Sequence, residues 1–140
     1  VKQFINNKNI TVVTSQSKKQ KIMSKSILAI AASGSVTLEL CKYQTPTIVV
    51  YDTNFITKII LKILVKVKFA SLINIFFNKE IFPELLFENF TYRNVFREFD
   101  ALLFDKKKRD KQLKYMKVFS NKMLNKENPA KIIVDQIFKN

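Results

Sequence analysis

Histidine is absent from the 140 residues, and with it go Ser-His-Asp triads, histidine general bases and histidine-ligated metal sites. A single cysteine, Cys41, excludes an internal disulfide and a zinc site built on cysteines alone. The only glycine is Gly34, so phosphate loops that need several glycines are excluded, as are collagen-like chains and glycine linkers. No apolar run is long enough to span a bilayer. The longest, residues 55–69, is broken by Lys58, Lys62, Lys66 and Lys68. No signal peptide is visible, and residues 1–7 read as the end of a helix, so the chain is expected to be truncated at its N-terminus. Whatever chemistry it carries uses carboxylates, hydroxyls, amides, lysines and backbone groups, or borrows residues from elsewhere.

What is present suits a folded domain. Hydrophobic residues make up 47% and charged residues 26%, enough for a core and too few charges for a disordered tail. The formal charge is +14, a field that attracts nucleic acid, anionic lipid or polyanionic substrates. Only Arg93, Arg97 and Arg109 among the 25 cations are arginines, although forked recognition of bases and phosphates favours arginine. Lysine, asparagine, isoleucine and phenylalanine are abundant together, the mark of an AT-rich coding bias. Much of the positive charge is therefore read as drift.

The hydropathy pattern predicts an α/β fold. The β-branched run 10–14 reads as a strand and 16–25 as a helix. The apolar run 27–32 reads as a strand buried on both faces, followed by the turn Ser33-Gly34-Ser35 and a helix over 36–43. Thr45-Pro46 ends that helix, and 47–51 is another buried strand. Strands and helices alternating at this spacing imply a right-handed crossover and a parallel sheet, with 27–32 beside 47–51. Residues 55–67 read as an apolar helix, 69–74 as a short strand or extended loop, and 81–87 as a short helix. From Thr91 onward Tyr92, Val95, Phe96, Phe99, Leu102 and Leu103 mark an amphipathic helix. A charged connection over 105–111 leads to a second helix marked by Leu113, Met116, Phe119 and Met123, and 129–138 reads as a third. The expected division is an α/β unit over 1–90 and a helical segment over 91–140.

In open α/β sheets ligands bind beyond the carboxyl ends of the strands, which directs attention to residues 31–39. There a strand end, a small-residue turn and a helix start succeed one another, offering free backbone N–H groups and the hydroxyls of Ser33, Ser35 and Thr37. A phosphate placed there gains the field of the helix N-terminus. Glu39, one turn after Ser35, suits the vicinal hydroxyls of a ribose, or is simply a solvated carboxylate on a capped helix. Asn74 suits a ligand through its amide, or a turn. Lys58, Lys62 and Lys66 share one helix face, suited to an anionic membrane or to solvent. The run Lys106–Arg109 reads as a solvated connection, and Cys41 as a buried small hydrophobe.

The segments Ala32-Ser33-Gly34-Ser35-Val36-Thr37-Leu38-Glu39, Pro46-Thr47-Ile48-Val49-Val50-Tyr51, Ser71-Leu72-Ile73-Asn74 and Pro83-Glu84-Leu85-Leu86 stand in the order and spacing of the lipid-A-disaccharide synthases, which the chain resembles along nearly its whole length. That family has the GT-B fold. The resemblance implies the C-terminal, Rossmann-like half of an inverting, metal-independent glycosyltransferase without cofactor, with a helical tail. It implies transfer of 2,3-diacylglucosamine from UDP-2,3-diacylglucosamine to the lipid acceptor 2,3-diacylglucosamine 1-phosphate. It further implies a peripheral place on the cytoplasmic side of the inner membrane of a Gram-negative bacterium. Ser33, Gly34, Ser35 and Thr37 then line the diphosphate, Glu39 the ribose and Asn74 the sugar-nucleotide site, with no catalytic residue in this chain. Three positions depart from the family pattern: Ile73 replaces proline, Phe77-Asn78-Lys79 replaces Ala-Gly-Arg, and Phe87 replaces glutamine. The acceptor-binding half is an implied partner, and self-association is expected from the apolar surface left without it. The competing reading is a basic α/β module for nucleic acid or anionic surfaces, marked by arginines and aromatics clustered on one exposed face.

Overall fold

A computed structural model describes residues 9–32, 34–52 and 68–124. Their elements run α1 (Gln16–Lys25), β1 (Ala29–Ala32), α2 (Ser35–Tyr43), β2 (Thr47–Tyr51), α3 (Leu72–Phe77), β3 (Glu84–Leu86), a 3-10 turn (Phe87–Asn89), α4 (Tyr92–Phe104) and α5 (Lys106–Leu124). The helices expected over 55–67 and 129–138 lie outside the described residues.

The strands form one parallel sheet in the order β1-β2-β3. Ala29 aligns with Thr47 and Ala32 with Val50, and Val50 in turn aligns with Leu85. The expected adjacency and direction of the first two strands are borne out, and so is the α/β class. One face of the sheet meets α2, α3 and α5 around Cys41, Val49, Ile73, Phe82, Met116 and Phe119. The other face meets α4 through Ile48, Leu85, Leu102, Val95 and Phe99.

Four local expectations fail, each for a reason set by distant residues. Residues 10–14 are not a strand; no described strand pairs with them, and a β-branched run without a ladder stays open. β1 is not buried on both faces. It lies at the sheet edge, and Ile30 is 50% exposed. Residues 72–77 are helical, because the Glu84 carboxylate accepts from the N–H groups of Ala70 (2.7 Å) and Ser71 (2.8 Å) where the helix begins. Residues 84–86 are a strand. Pro83 disfavours the helical conformation at Phe82, and its carbonyl accepts from the Val49 N–H at 2.9 Å, starting the ladder with β2.

The basic run over 106–109 is likewise the opening of α5 and not a connection. Only Asp105 separates it from α4. Arg109 folds back so that Nη1 donates to the carbonyls of Leu102 (3.2 Å) and Leu103 (2.7 Å), satisfying the last turn of α4. Asn78, where the resemblance implies a glycine, ends α3 at φ 45°, ψ 42°, a left-handed conformation that asparagine tolerates better than most residues. The substitution thus preserves the turn.

A candidate ligand site at the carboxyl edge of the sheet

The register brings three strand ends to one rim: Ala32 leading into the turn, Tyr51 at the end of β2, and Leu86 with Phe87 at the end of β3. Gly34 has φ 125° and ψ −159°, a region strained for any residue with a Cβ. Among the described residues, no atom beyond the adjoining ones lies within 4 Å of where a Cβ would stand. Glycine is therefore required by the backbone, and the space above the turn is open. Ser35, exposed, begins α2, and among the described residues no side chain caps that helix start. The Ser35 and Val36 amides of the first turn are left for solvent or an anion.

Thr37 does not present its hydroxyl to this space. It is buried, and Oγ1 donates to the Gly34 carbonyl at 2.7 Å, beside the Thr37 N–H at 3.1 Å on the same oxygen. Its role is to lock the turn. Glu39 is half-buried and faces α1, where Lys19 Nζ lies 3.2 Å from Oε2 and 3.4 Å from Oε1. The Oε1 contact has hydrogen-bond geometry; the shorter Oε2 contact is an ion pair without it. Ser33 lies outside the described residues.

Asn74 is placed differently from a ligand-binding side chain. It is fully buried in α3, and every hydrogen-bonding position of its amide is taken. Oδ1 accepts from the N–H groups of Ile81 (2.7 Å) and Phe82 (2.9 Å). Nδ2 donates to the Phe82 carbonyl and to Glu84 Oε1, each at 2.8 Å. Glu84 also accepts from the Ser71 hydroxyl at 2.6 Å. Ser71, Asn74 and Glu84 thus form one closed polar network that fixes the path into β3 and, through it, the rim at Leu86–Phe87. Phe87 holds φ 51°, unusual for a bulky residue, and meets Tyr51 edge-on at a centroid distance of 6.1 Å.

Sequence reasoning missed two structural clamps. Glu84 stands in one of the motif segments, but nothing in the sequence marks it as a clamp on Ser71 and Asn74. Gln112 carries no signal, being one glutamine in a lysine-rich helix. Yet it is buried at the amino end of the sheet, where Oε1 accepts from the Thr47 N–H (2.8 Å) and Nε2 donates to the carbonyls of Thr47 (3.0 Å) and Ile81 (3.1 Å). The side chain stands in for a strand neighbour where β3 has not yet begun. A cleft beside it, lined by Glu98, Lys108 and Tyr115, lies at the end of the sheet away from the candidate rim, and Lys108 closes on Glu98 at 2.6 Å. Cys41 is buried, and desolvation pushes its thiol up to about 12. Among the described residues no three metal-ligating side chains converge, and no helix is long and apolar enough to cross a membrane.

Residues 1–138 match the family model described as lipid-A-disaccharide synthetase. The lipid-A-disaccharide synthase of Rickettsia canadensis is 36% identical over 126 residues, which cover 90% of this chain and 31% of that protein. The Rickettsia conorii enzyme is 38% identical over 97 residues, 69% of this chain and 22% of its own length. The Rickettsia bellii enzyme is 39% identical over 93 residues, 66% and 24% respectively. The chain therefore spans about a third or less of the curated relatives it matches. No solved structure matches it. The resemblance drawn from the motif residues is borne out.

Proposed function

The chain belongs to the lipid-A-disaccharide synthetase family, and we propose that it forms the nucleotide-sugar-binding part of an inverting, metal-independent glycosyltransferase. The donor is UDP-2,3-diacylglucosamine and the acceptor 2,3-diacylglucosamine 1-phosphate. An acceptor hydroxyl attacks the anomeric carbon, the bond to UDP breaks, and a base takes the hydroxyl proton. With no histidine in this chain, the base is a carboxylate or a residue of the acceptor-binding half, and the part assigned to this chain is donor binding. The acylated substrates place the reaction at the cytoplasmic face of the inner membrane.

The observation that carries this reading is the rim itself. An open turn at Gly34, uncapped amides at the start of α2 and a carboxylate one turn later meet the needs of a diphosphate and a ribose. The diphosphate sits over Ser33, Gly34 and Ser35, with Thr37 holding the turn from below. Glu39 accepts from the ribose hydroxyls while the ion pair with Lys19 holds its side chain in place. Asn74 acts on the site through the loop it holds.

Calorimetric titration with UDP tests this. Glu39→Gln removes a charge-assisted hydrogen bond of about 1.5–3 kcal/mol, so affinity should fall tenfold or more. UDP lacking ribose hydroxyls should lose a similar factor against the parent and little against the variant. Equal losses in both would return Glu39 to the status of a helix-surface carboxylate.

A further inference from the structure

β3 gives way to a residue whose backbone does not suit it. Phe87 holds φ 51°, in the left-handed region that favours glycine. Strain of this kind persists only where the surroundings hold it, and it gathers at ligand clamps. The ring meets Tyr51 edge-on at 6.1 Å, across the ends of two neighbouring strands. With 80° between the planes, at least one face of each ring is left uncovered by the other. Tyr51 is 37% exposed and Phe87 is half-buried. Among the described residues neither ring belongs to the two apolar clusters of the core. Asp52 and Glu88 directly follow the two rings in sequence and are exposed.

The register sets how far this pair lies from the turn at Gly34. Val50 aligns with Ala32 on one side and with Leu85 on the other, so Tyr51 stands beside the turn and Phe87 one strand farther. With strands about 4.8 Å apart, Phe87 lies on the order of 10 Å along the rim from the turn. In the proposed donor pose the diphosphate covers Gly34 and the ribose lies on Glu39, which reaches toward α1. Uracil follows the ribose to that side. The group on the second phosphate is left with the ends of β2 and β3. Where the resemblance implies glutamine, an amide suited to a hydroxyl, this chain carries a ring there.

We propose that Tyr51 and Phe87 form the contact surface for the hexosamine ring of the donor, and that Phe87 makes this chain read the C–H face of that ring. A pyranose chair carries its equatorial hydroxyls around the edge and C–H bonds on its faces. Rings for a face, with carboxylates beside them for the edge, give the apolar wall and few polar groups of a small-ligand site. This contact rests on the UDP reading of the rim and adds what lies beyond the second phosphate. Uracil is the poorer occupant, because it hangs from the ribose and the ribose is on Glu39.

Calorimetric titration of the whole chain with UDP and with UDP-N-acetylglucosamine tests it. The sugar nucleotide should bind more tightly than UDP by roughly three- to tenfold, the scale of one aromatic contact. Phe87→Leu keeps an apolar side chain without a flat face, whereas Phe87→Tyr keeps the face. The first should lose most of the sugar's advantage and the second retain it, with UDP itself within about twofold in both. Tyr51→Leu should behave as Phe87→Leu does, and circular dichroism checks that each variant is folded. An advantage that survives in both leucine variants overturns the inference. Equal weakening of UDP and the sugar nucleotide puts the rings on the base and overturns it as well. UDP binding in the parent with no gain from the sugar sinks this inference alone, and binding of neither ligand sinks it together with the UDP reading.

Discussion

Replacing Asn74 by alanine should be among the most damaging single changes available in this chain, although the residue touches no charge run and no solvent. Its amide makes four hydrogen bonds between 2.7 and 2.9 Å, all within the protein. Truncation strands two buried donors, the N–H groups of Ile81 and Phe82, at about 1–3 kcal/mol each. The Phe82 carbonyl and one Glu84 oxygen lose a donor as well, but Glu84 keeps those of Ala70 and Ser71. A sum of about 3–5 kcal/mol follows, a large share of the roughly 5–15 kcal/mol that holds a domain together. The midpoint of thermal unfolding should drop by on the order of 10 °C. Urea denaturation followed by far-UV circular dichroism reads the loss directly. Ser71→Ala is the internal scale, since it removes one hydroxyl bond to Glu84 and should cost about 1–2 kcal/mol. A loss below about 1 kcal/mol for Asn74→Ala, with unchanged denaturant slope, would mean that water replaces the amide and that the network does not hold the loop.

Gln112→Glu should cost more than Gln112→Ala, because it turns a donor facing two carbonyls into a third acceptor. Hydrogen exchange at the Thr47 amide should accelerate in both variants, and equal protection to the parent would refute the clamp. Cys41 gives a pH signature. Burial holds its thiol at about 12 in the folded chain against an ordinary 9.0, so between those limits the folded state binds the extra proton. Stability should be whole below pH 9 and decline as pH rises from there towards 12. Cys41→Ala should flatten that decline in alkaline urea titrations.

The parts of this fold legible in the sequence are those decided by local pattern. β2 and α1 fall on the expected residues because a short β-branched run between breakers, and a polar stretch free of them, each has one good solution. α2 and α4 follow for the same reason, with Thr91 accepting from the Asn94 N–H at 3.2 Å to open α4 as an N-cap should. The segment 69–87 was illegible because its conformation is set by three side chains that meet only after folding. Ser71, Asn74 and Glu84 satisfy one another and the intervening backbone, converting an apparent strand to a helix and an apparent helix to a strand.

The candidate site divides along the same line. The turn at Gly34 was legible as geometry, since a lone glycine between a strand and a helix has few other uses. The direction in which each hydroxyl and carboxylate points was not. Thr37 turns inward to the Gly34 carbonyl, and Glu39 leans toward Lys19 of another helix. Motif resemblance names which residues gather at a site without saying which of them touch a ligand. Asn74 is the sharpest instance: its place in the motif is explained here by the backbone it satisfies. A polar residue can thus hold the backbone that leads into a proposed binding rim while every hydrogen-bonding position of its own amide is taken.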